Sequence, residues 1–143
     1  MIFQLCYASK TSSDAQRLLL DLKEILNEAH HMNYLNGIHG VLYYADGFFF
    51  QCLEGEKLAV LELIDKIKLD PRHQQIYIFN PQEIQDGHFT DWSMKFVRKN
   101  SQVSAFFKKY LQQSDFNPYL LNEASIAALI PLLADLQMDE VLV

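Results

Sequence analysis

The chain has no Lys/Arg-rich run, no apolar stretch long enough to cross a bilayer, no cysteine spacing of the zinc type and only two cysteines in all. Each absence removes a class of function. With a net charge of -6 and no basic block, the chain lacks the phosphate neutralisation that dominates nucleic-acid affinity, so direct nucleic-acid binding is not expected. No N-terminal segment joins a basic flank to an apolar run and a small-residue cleavage site, so the expectation is a cytoplasmic protein without membrane contact. Cys6 and Cys52 both fall in strand-like runs, where a reduced thiol usually behaves as a small buried hydrophobe. The five histidines form no ligand set: His30-His31 close a helix, while His39, His73 and His88 are scattered, and no metal is expected. Nucleophile and base pairs and phosphate-cradling glycine loops are also missing, which argues against an enzyme. There is no internal repeat and no low-complexity segment.

What is present is enough apolar sequence for a core. Half of the 143 residues are hydrophobic, which suits one domain with a short appendage. Ile2 to Ala8 alternates as a strand that ends near Ser9, with Phe3, Leu5 and Tyr7 on one face. Ser13 with Gln16 reads as a capping box for a first helix carrying Leu18, Leu22, Ile25, Leu26 and Ala29. Polar residues and Gly37 end that helix. A hairpin follows, Val41 to Tyr44 and Phe48 to Leu53, turned by Ala45-Asp46-Gly47. Val60, Leu63, Ile64 and Ile67 mark a second helix, stopped at Asp70-Pro71. Ile76 to Phe79 reads as strand four, Gln82 to Asp91 as a polar connection turning at Asp86-Gly87, and Trp92 to Val97 as an alternating strand five. The order βαββαββ, with each helix crossing back over one sheet face, predicts an α+β sandwich of ferredoxin-like type. Beyond Asn100, Val103 to Leu111 and Ile126 to Leu136 suggest two further helices, the second with a kink or new start at Pro131. This apolar tail is expected to dock on the open sheet face or on a partner.

Within that frame Gln51 is the odd residue. The two-residue period of a strand places it between Phe49 and Leu53, an amide on an apolar face, and leaving it unpaired would cost roughly 1 to 3 kcal/mol. The same parity places Tyr7 beside Phe3 and Leu5, and Trp92 and Met94 beside Phe96, so that a phenol, an amide, an indole and a thioether converge. Singly, Tyr, Trp and Met in such places are ordinary core residues. The amide tips the balance, because it requires a designated partner.

These residues resemble the BLUF family of blue-light sensors that hold FAD without a covalent bond. The resemblance covers roughly Ile2 to Val97 and rests on Tyr7, Asn33 followed by G-I-H-G, F-F-Q-C-L-E-G around Gln51, D-P-R-H at Asp70 to His73 and W-S-M at Trp92 to Met94. The departures are His39, where the family usually has Thr, and Met32, where a second polar residue often precedes the Asn. The resemblance implies that Tyr7 is the photochemical electron and proton donor and that Gln51 bridges its hydroxyl to the flavin edge. It also implies that Asn33 bonds the flavin carbonyl edge, that Ile25 and Ile67 flank the ring, and that Asp70, Arg72 and His73 contact outer parts of FAD. Trp92 and Met94 would relay the signal, exchanging places near Gln51 as it rotates or tautomerises.

On this reading residues 1–97 form the FAD-binding photosensory domain and residues 98–143 a C-terminal helical extension that serves as output or cap. With no recognisable catalytic domain after Val97, the expected partner is another protein, such as a transcription regulator or a signalling enzyme; homo-oligomerisation is left open. Two rivals remain: a light-insensitive ferredoxin-like module for ligand binding or protein interaction, and a small enzyme using His73 or Arg72 with Asn33.

Overall fold

The computed structural model describes residues 1–139. Its elements run β1 (Ile2–Thr11), α1 (Leu18–Asn36), β2 (His39–Ala45), β3 (Phe48–Gly55), α2 (Lys57–Lys68), β4 (His73–Ile78), β5 (Gln82–Ile84), β6 (Lys95–Arg98), α3 (Ser101–Leu111) and α4 (Glu123–Asp135). The expected order is present with one short addition, β5, which pairs with the start of β1. The sheet order is β4-β1-β3-β2-β6, and β2 and β6 run parallel. β1 is the spine, with β3 on one side and β4 and β5 on the other.

Local chemistry explains most of the boundaries. The β2–β3 turn needs two positive φ angles in succession, and Asp46 (φ 53) and Gly47 (φ 87) supply them. Gly37 ends α1 in the left-handed region, φ 65, where its lack of a Cβ removes the steric cost. The expected capping box at Ser13 is not formed. The Asp14 carboxylate accepts from the Arg17 N–H at 2.9 Å and closes a preceding turn, α1 begins only at Leu18, and the Ser13 hydroxyl donates instead to Asp21. β1 runs on to Thr11, past the expected end near Ser9, because Lys10 and Thr11 still pair with Gln74 and His73 of β4.

The two sheet faces carry two separate cores. Phe3, Leu5, Tyr7, Leu42, Phe49 and Leu53 pack under α1 and α2 with Leu22, Leu26, Val60 and Ile64. Cys6, Ala8, Val41, Tyr43, Phe50 and Cys52 pack on the opposite face under α3 and α4 with Phe106, Phe107, Ile126, Leu129, Ile130 and Leu133. Thus the tail docks on the open sheet face. Burying each large aliphatic or aromatic side chain there is worth about 1.5 to 3 kcal/mol. Pro131 lies inside one continuous helix, so no new helix starts there, and a capping box of Asn122 and Ser125 opens that helix. The lost amide is tolerated because Pro131 is exposed while Ile130 and Leu133 hold the buried side.

Strand five departs from the sequence reading. Regular pairing starts only at Lys95, against Val41, and Trp92 to Met94 form a bent segment whose first amide closes a turn onto Phe89. Strand parity therefore does not extend back to Trp92. Met94 and Phe96 lie in the α1/α2 core, whereas Trp92 packs against the α3/α4 core on the other face.

Candidate functional site

α1 and α2 bridge the sheet face that carries Tyr7 and Gln51, and between them lies a cleft of about 180 Å³. Tyr7, Phe49 and Gln51 come up from the sheet, Ile25 and Asn33 face in from α1, Ile67 from α2, and Asp70, Arg72 and His73 close one end. All eight residues singled out as cofactor-binding in the sequence therefore border one space. Trp92 does not border it, and Met94 reaches it only through Gln51.

The centre of the cleft is a short hydrogen-bonded chain. Tyr7 and Gln51 are opposite each other in the β1–β3 register, both almost fully buried, and the Tyr7 hydroxyl donates to Gln51 Oε1. Gln51 Nε2 in turn donates to Met94 Sδ at 3.5 Å. The amide thus spends its oxygen on a phenol and its nitrogen on a thioether, which is a weak acceptor and has no proton to give. Burial pushes the Tyr7 phenol well above its usual range, and the nearby Asp70 carboxylate adds to the shift, so Tyr7 is a neutral donor at physiological pH.

Asn33 is held in the last turn of α1 and is 1% exposed. Its Nδ2 donates to Ser93 O at 2.8 Å, tying α1 to the bent segment, while its Oδ1 is buried without a partner. An unmet buried acceptor beside a cleft calls for a donor from a bound group.

At the mouth, Asp70 receives the Arg72 guanidinium at 2.9 Å and 2.7 Å, and Glu28 receives it at 2.8 Å. Burial raises the Asp70 carboxyl, but the hydrogen bonds from Arg72 outweigh it and hold the group below the usual carboxylate range. The same partners raise Arg72 further. His73 donates from Nε2 to Ile67 O at 2.7 Å, and its Nδ1 lies in hydrogen-bonding contact with the Ser9 hydroxyl at 2.9 Å. It packs edge-on against Tyr7 and fixes the end of α2 against β1.

Reasoning from the sequence missed several lining side chains that helical spacing would have found. Ile25, Glu28, Ala29, Met32 and Asn33 lie on one face of α1 at intervals of three and four, and Leu63, Lys66 and Ile67 do so on α2. It also missed Lys95, which is 1% exposed, donates from Nζ to Ala134 O at 2.8 Å and sits 4.3 Å over the Trp92 ring. No periodicity marks a buried lysine.

The donor and acceptor set suits a flavin. An isoalloxazine edge offers an imide N–H between two carbonyls, which matches an unmet amide oxygen at Asn33 and an amide at Gln51 whose nitrogen has only a thioether for a partner. The apolar side chains of Ile25, Leu63 and Ile67 leave a slot for a flat ring between the helices.

Known proteins agree with this. The chain superimposes on a solved structure described as the BlsA photo-activated state with a TM-score of 0.93 and 42% identity, covering 98% of this chain and 99% of that one. It also superimposes on BlrB, a BLUF protein in its dark state, with a TM-score of 0.77 and 29% identity over 94% of this chain and 97% of the other. Among curated proteins, the photoactivated adenylate cyclase subunit beta of Euglena longa is 35% identical over 91 residues, 63% of this chain. The match spans only 10% of that relative. Residues 2–95 match the family described as sensors of blue-light using FAD, and the chain belongs to that family, BLUF.

Proposed function

We propose that this chain is a blue-light photoreceptor in which the cleft between α1 and α2 holds FAD non-covalently and the Tyr7–Gln51–Met94 chain converts light absorption into a change of hydrogen bonding. That chain is the observation that carries the reading. Asn33 and Gln51 would hold the polar edge of the ring, Ile25 and Ile67 its faces, and Asp70, Arg72 and His73 the outer part of the cofactor. The bound flavin supplies blue absorption and, once excited, a place for one electron.

Tyr7 would give up an electron to that acceptor and pass its phenolic proton along the existing hydrogen bond to Gln51 Oε1. Gln51 would rotate or tautomerise while the proton is away, and the electron and proton would then return to Tyr7, so that phenol and flavin end chemically unchanged and only the hydrogen bonding differs. Rotation brings Oε1 against Met94 Sδ, where two acceptors face each other, so the thioether must move. Met94 begins the bent segment's junction with β6, Trp92 lies on the far side of the sheet, and Lys95 joins the two to α4. Movement of this segment would alter how α3 and α4, within an output extension of residues 98–143, sit on the sheet. The output is then contact with a protein partner, a transcription regulator or a signalling enzyme, or with a second copy of the chain.

The test is the visible spectrum of protein purified in the dark, repeated after blue illumination and after dark recovery. Flavin bands that shift slightly to the red in light and return in darkness are expected. Bound FAD with no light response refutes the switch, and failure to bind FAD supplied during refolding favours a light-insensitive interaction module.

A further inference from the structure

Cys6 and Cys52 take no part in the switch, yet they form the rung next to it. The β1–β3 register pairs Cys6 with Cys52 directly beside Tyr7 and Gln51. Backbone direction shows which kind of rung this is. Cys6 O accepts from Phe79 N at 3.0 Å, on the β4 side, and Cys52 O points toward β2, where a Cβ placed on Gly40 would lie 2.3 Å from it. Both peptide groups face away from each other, so the pair is a non-hydrogen-bonded one. In such pairs the Cα atoms lie about 4.5 Å apart, inside the span of roughly 4.4 to 6.8 Å that a disulfide bridges.

We propose that Cys6 and Cys52 are a redox-active pair that closes into a cross-strand disulfide on reaction with a small peroxide. Cys6 borders a second cleft, of about 560 Å³, between β1, Phe79 and the α4 residues Ile126 and Ile130. This gives a small oxidant a route to its sulfur, while Cys52 is wholly buried. The Cys6 thiolate attacks the peroxide, the O–O bond breaks, and a sulfenic acid and hydroxide form. Cys52 loses its proton and attacks the Cys6 sulfur, the S–S bond forms and the S–O bond breaks. In sum two thiols and one hydrogen peroxide give one disulfide and two waters, with the peroxide reduced by two electrons. Burial first, then the neighbouring Cys6 and Glu54, push the Cys52 thiol well up, so closure is slow and faster at alkaline pH.

The whole chain loaded with FAD is treated with hydrogen peroxide, quenched with iodoacetamide under denaturing conditions and weighed intact. The expected product is lighter by two hydrogens, takes no alkyl group, and yields one peptide linking Cys6 to Cys52. Dithiothreitol restores two alkylations. Cys52→Ala should instead leave Cys6 to add oxygen or to join a second chain. Two alkylations persisting after peroxide, oxygen added without a link, or links only between chains each overturn the pair, whether or not the protein responds to light. A bond across the rung beside Tyr7 and Gln51 should also change the dark-recovery rate of the oxidised protein, reversibly with dithiothreitol. This coupling rests on the function proposed above, and equal recovery of the oxidised and reduced forms overturns it.

Discussion

Asn33→Ala separates what the cofactor contributes from what the fold contributes. Without cofactor, Asn33 makes one good bond, Nδ2 to Ser93 O at 2.8 Å, and carries one liability, a buried Oδ1 without a donor. Removing the side chain forfeits a hydrogen bond worth about 1 kcal/mol and relieves a desolvated acceptor that costs about 1 to 3 kcal/mol. The two nearly offset, so the melting temperature of the FAD-free protein should move by only a few degrees, at roughly 3 to 4 °C per kcal/mol for a chain of this size. With FAD bound, the same substitution strands a buried donor of the ring edge. That costs about 1 to 3 kcal/mol, or a five- to 150-fold weaker dissociation constant. Flavin titration followed by fluorescence gives the constant, and melting with and without saturating FAD gives the linked stabilisation, which should shrink by the same free energy. An unchanged affinity, with all of the loss appearing in the FAD-free protein, would refute the assignment of Oδ1 to the cofactor and leave Asn33 as a strut for Ser93.

Four further outcomes follow from the same geometry. Gln51→Leu should bind FAD and stay within about 2 kcal/mol of the parent, since apolar burial offsets the stranded phenol, but lose the red shift; a normal shift on illumination would sink the switch. Tyr7→Phe keeps the packing and removes the proton donor, so a full reversible photocycle in that variant would make Tyr7 purely structural. Lys95→Met removes the bond to Ala134 O while sparing the cost of burying an ammonium, so unfolding should change by less than about 1.5 kcal/mol as hydrogen exchange near Leu133 to Asp135 quickens; unaltered exchange there would refute the tether. Asp70 has its folded-state pKa held below the ordinary value of about 3.9, so its contribution is present above that pH and is lost as pH falls through the folded value. Acid melting curves should therefore be flatter for Asp70→Asn than for the parent, and parallel curves would mean that the Arg72 contact contributes nothing.

The site was more legible in the sequence than the elements around it. Gln51 stands out because an amide among the apolar residues of a strand needs a partner, strand parity puts Tyr7 on the same face, and helical spacing places Ile25 and Ile67 on apolar helix faces, whereas Asn33 is marked by the family resemblance and by no local pattern. Three features escaped, each for a reason outside local pattern. β5 is only three residues long and exists because β1 has an open edge, a tertiary circumstance. The N-terminus of α1 was misplaced because Asp14 competed successfully with Ser13 for local amides. Trp92 was put on the wrong face because period-two alternation was carried back from Lys95 through residues that are bent, and alternation has meaning only where the backbone is extended.

If Gln51 switches as proposed, the bent segment is the route by which a small event in the cleft would reach the far face. The bent segment precedes the first rung of the β2–β6 ladder, Val41 with Lys95, so moving it breaks no sheet pairing. It is held by the Trp92 N–H to Phe89 O at 3.0 Å, by Asn33 to Ser93 O at 2.8 Å, by His39 to Trp92 O at 3.2 Å and by a 3.3 Å contact between the Ser93 hydroxyl and His30. At about 1 kcal/mol for each such bond, displacing it costs on the order of a few kcal/mol, the range in which two arrangements can exchange populations. One of these anchors is Asn33, which lines the cleft, and the segment's end, Met94, is the acceptor for Gln51. The other end places Trp92 under Lys95, whose ammonium holds the last turn of α4. A sheet interior that is close-packed on both faces would resist a graded deformation, whereas a short segment passing from one face to the other can pivot. Trp92 and Met94 on opposite faces therefore suit a lever better than an exchange of two side chains at one place.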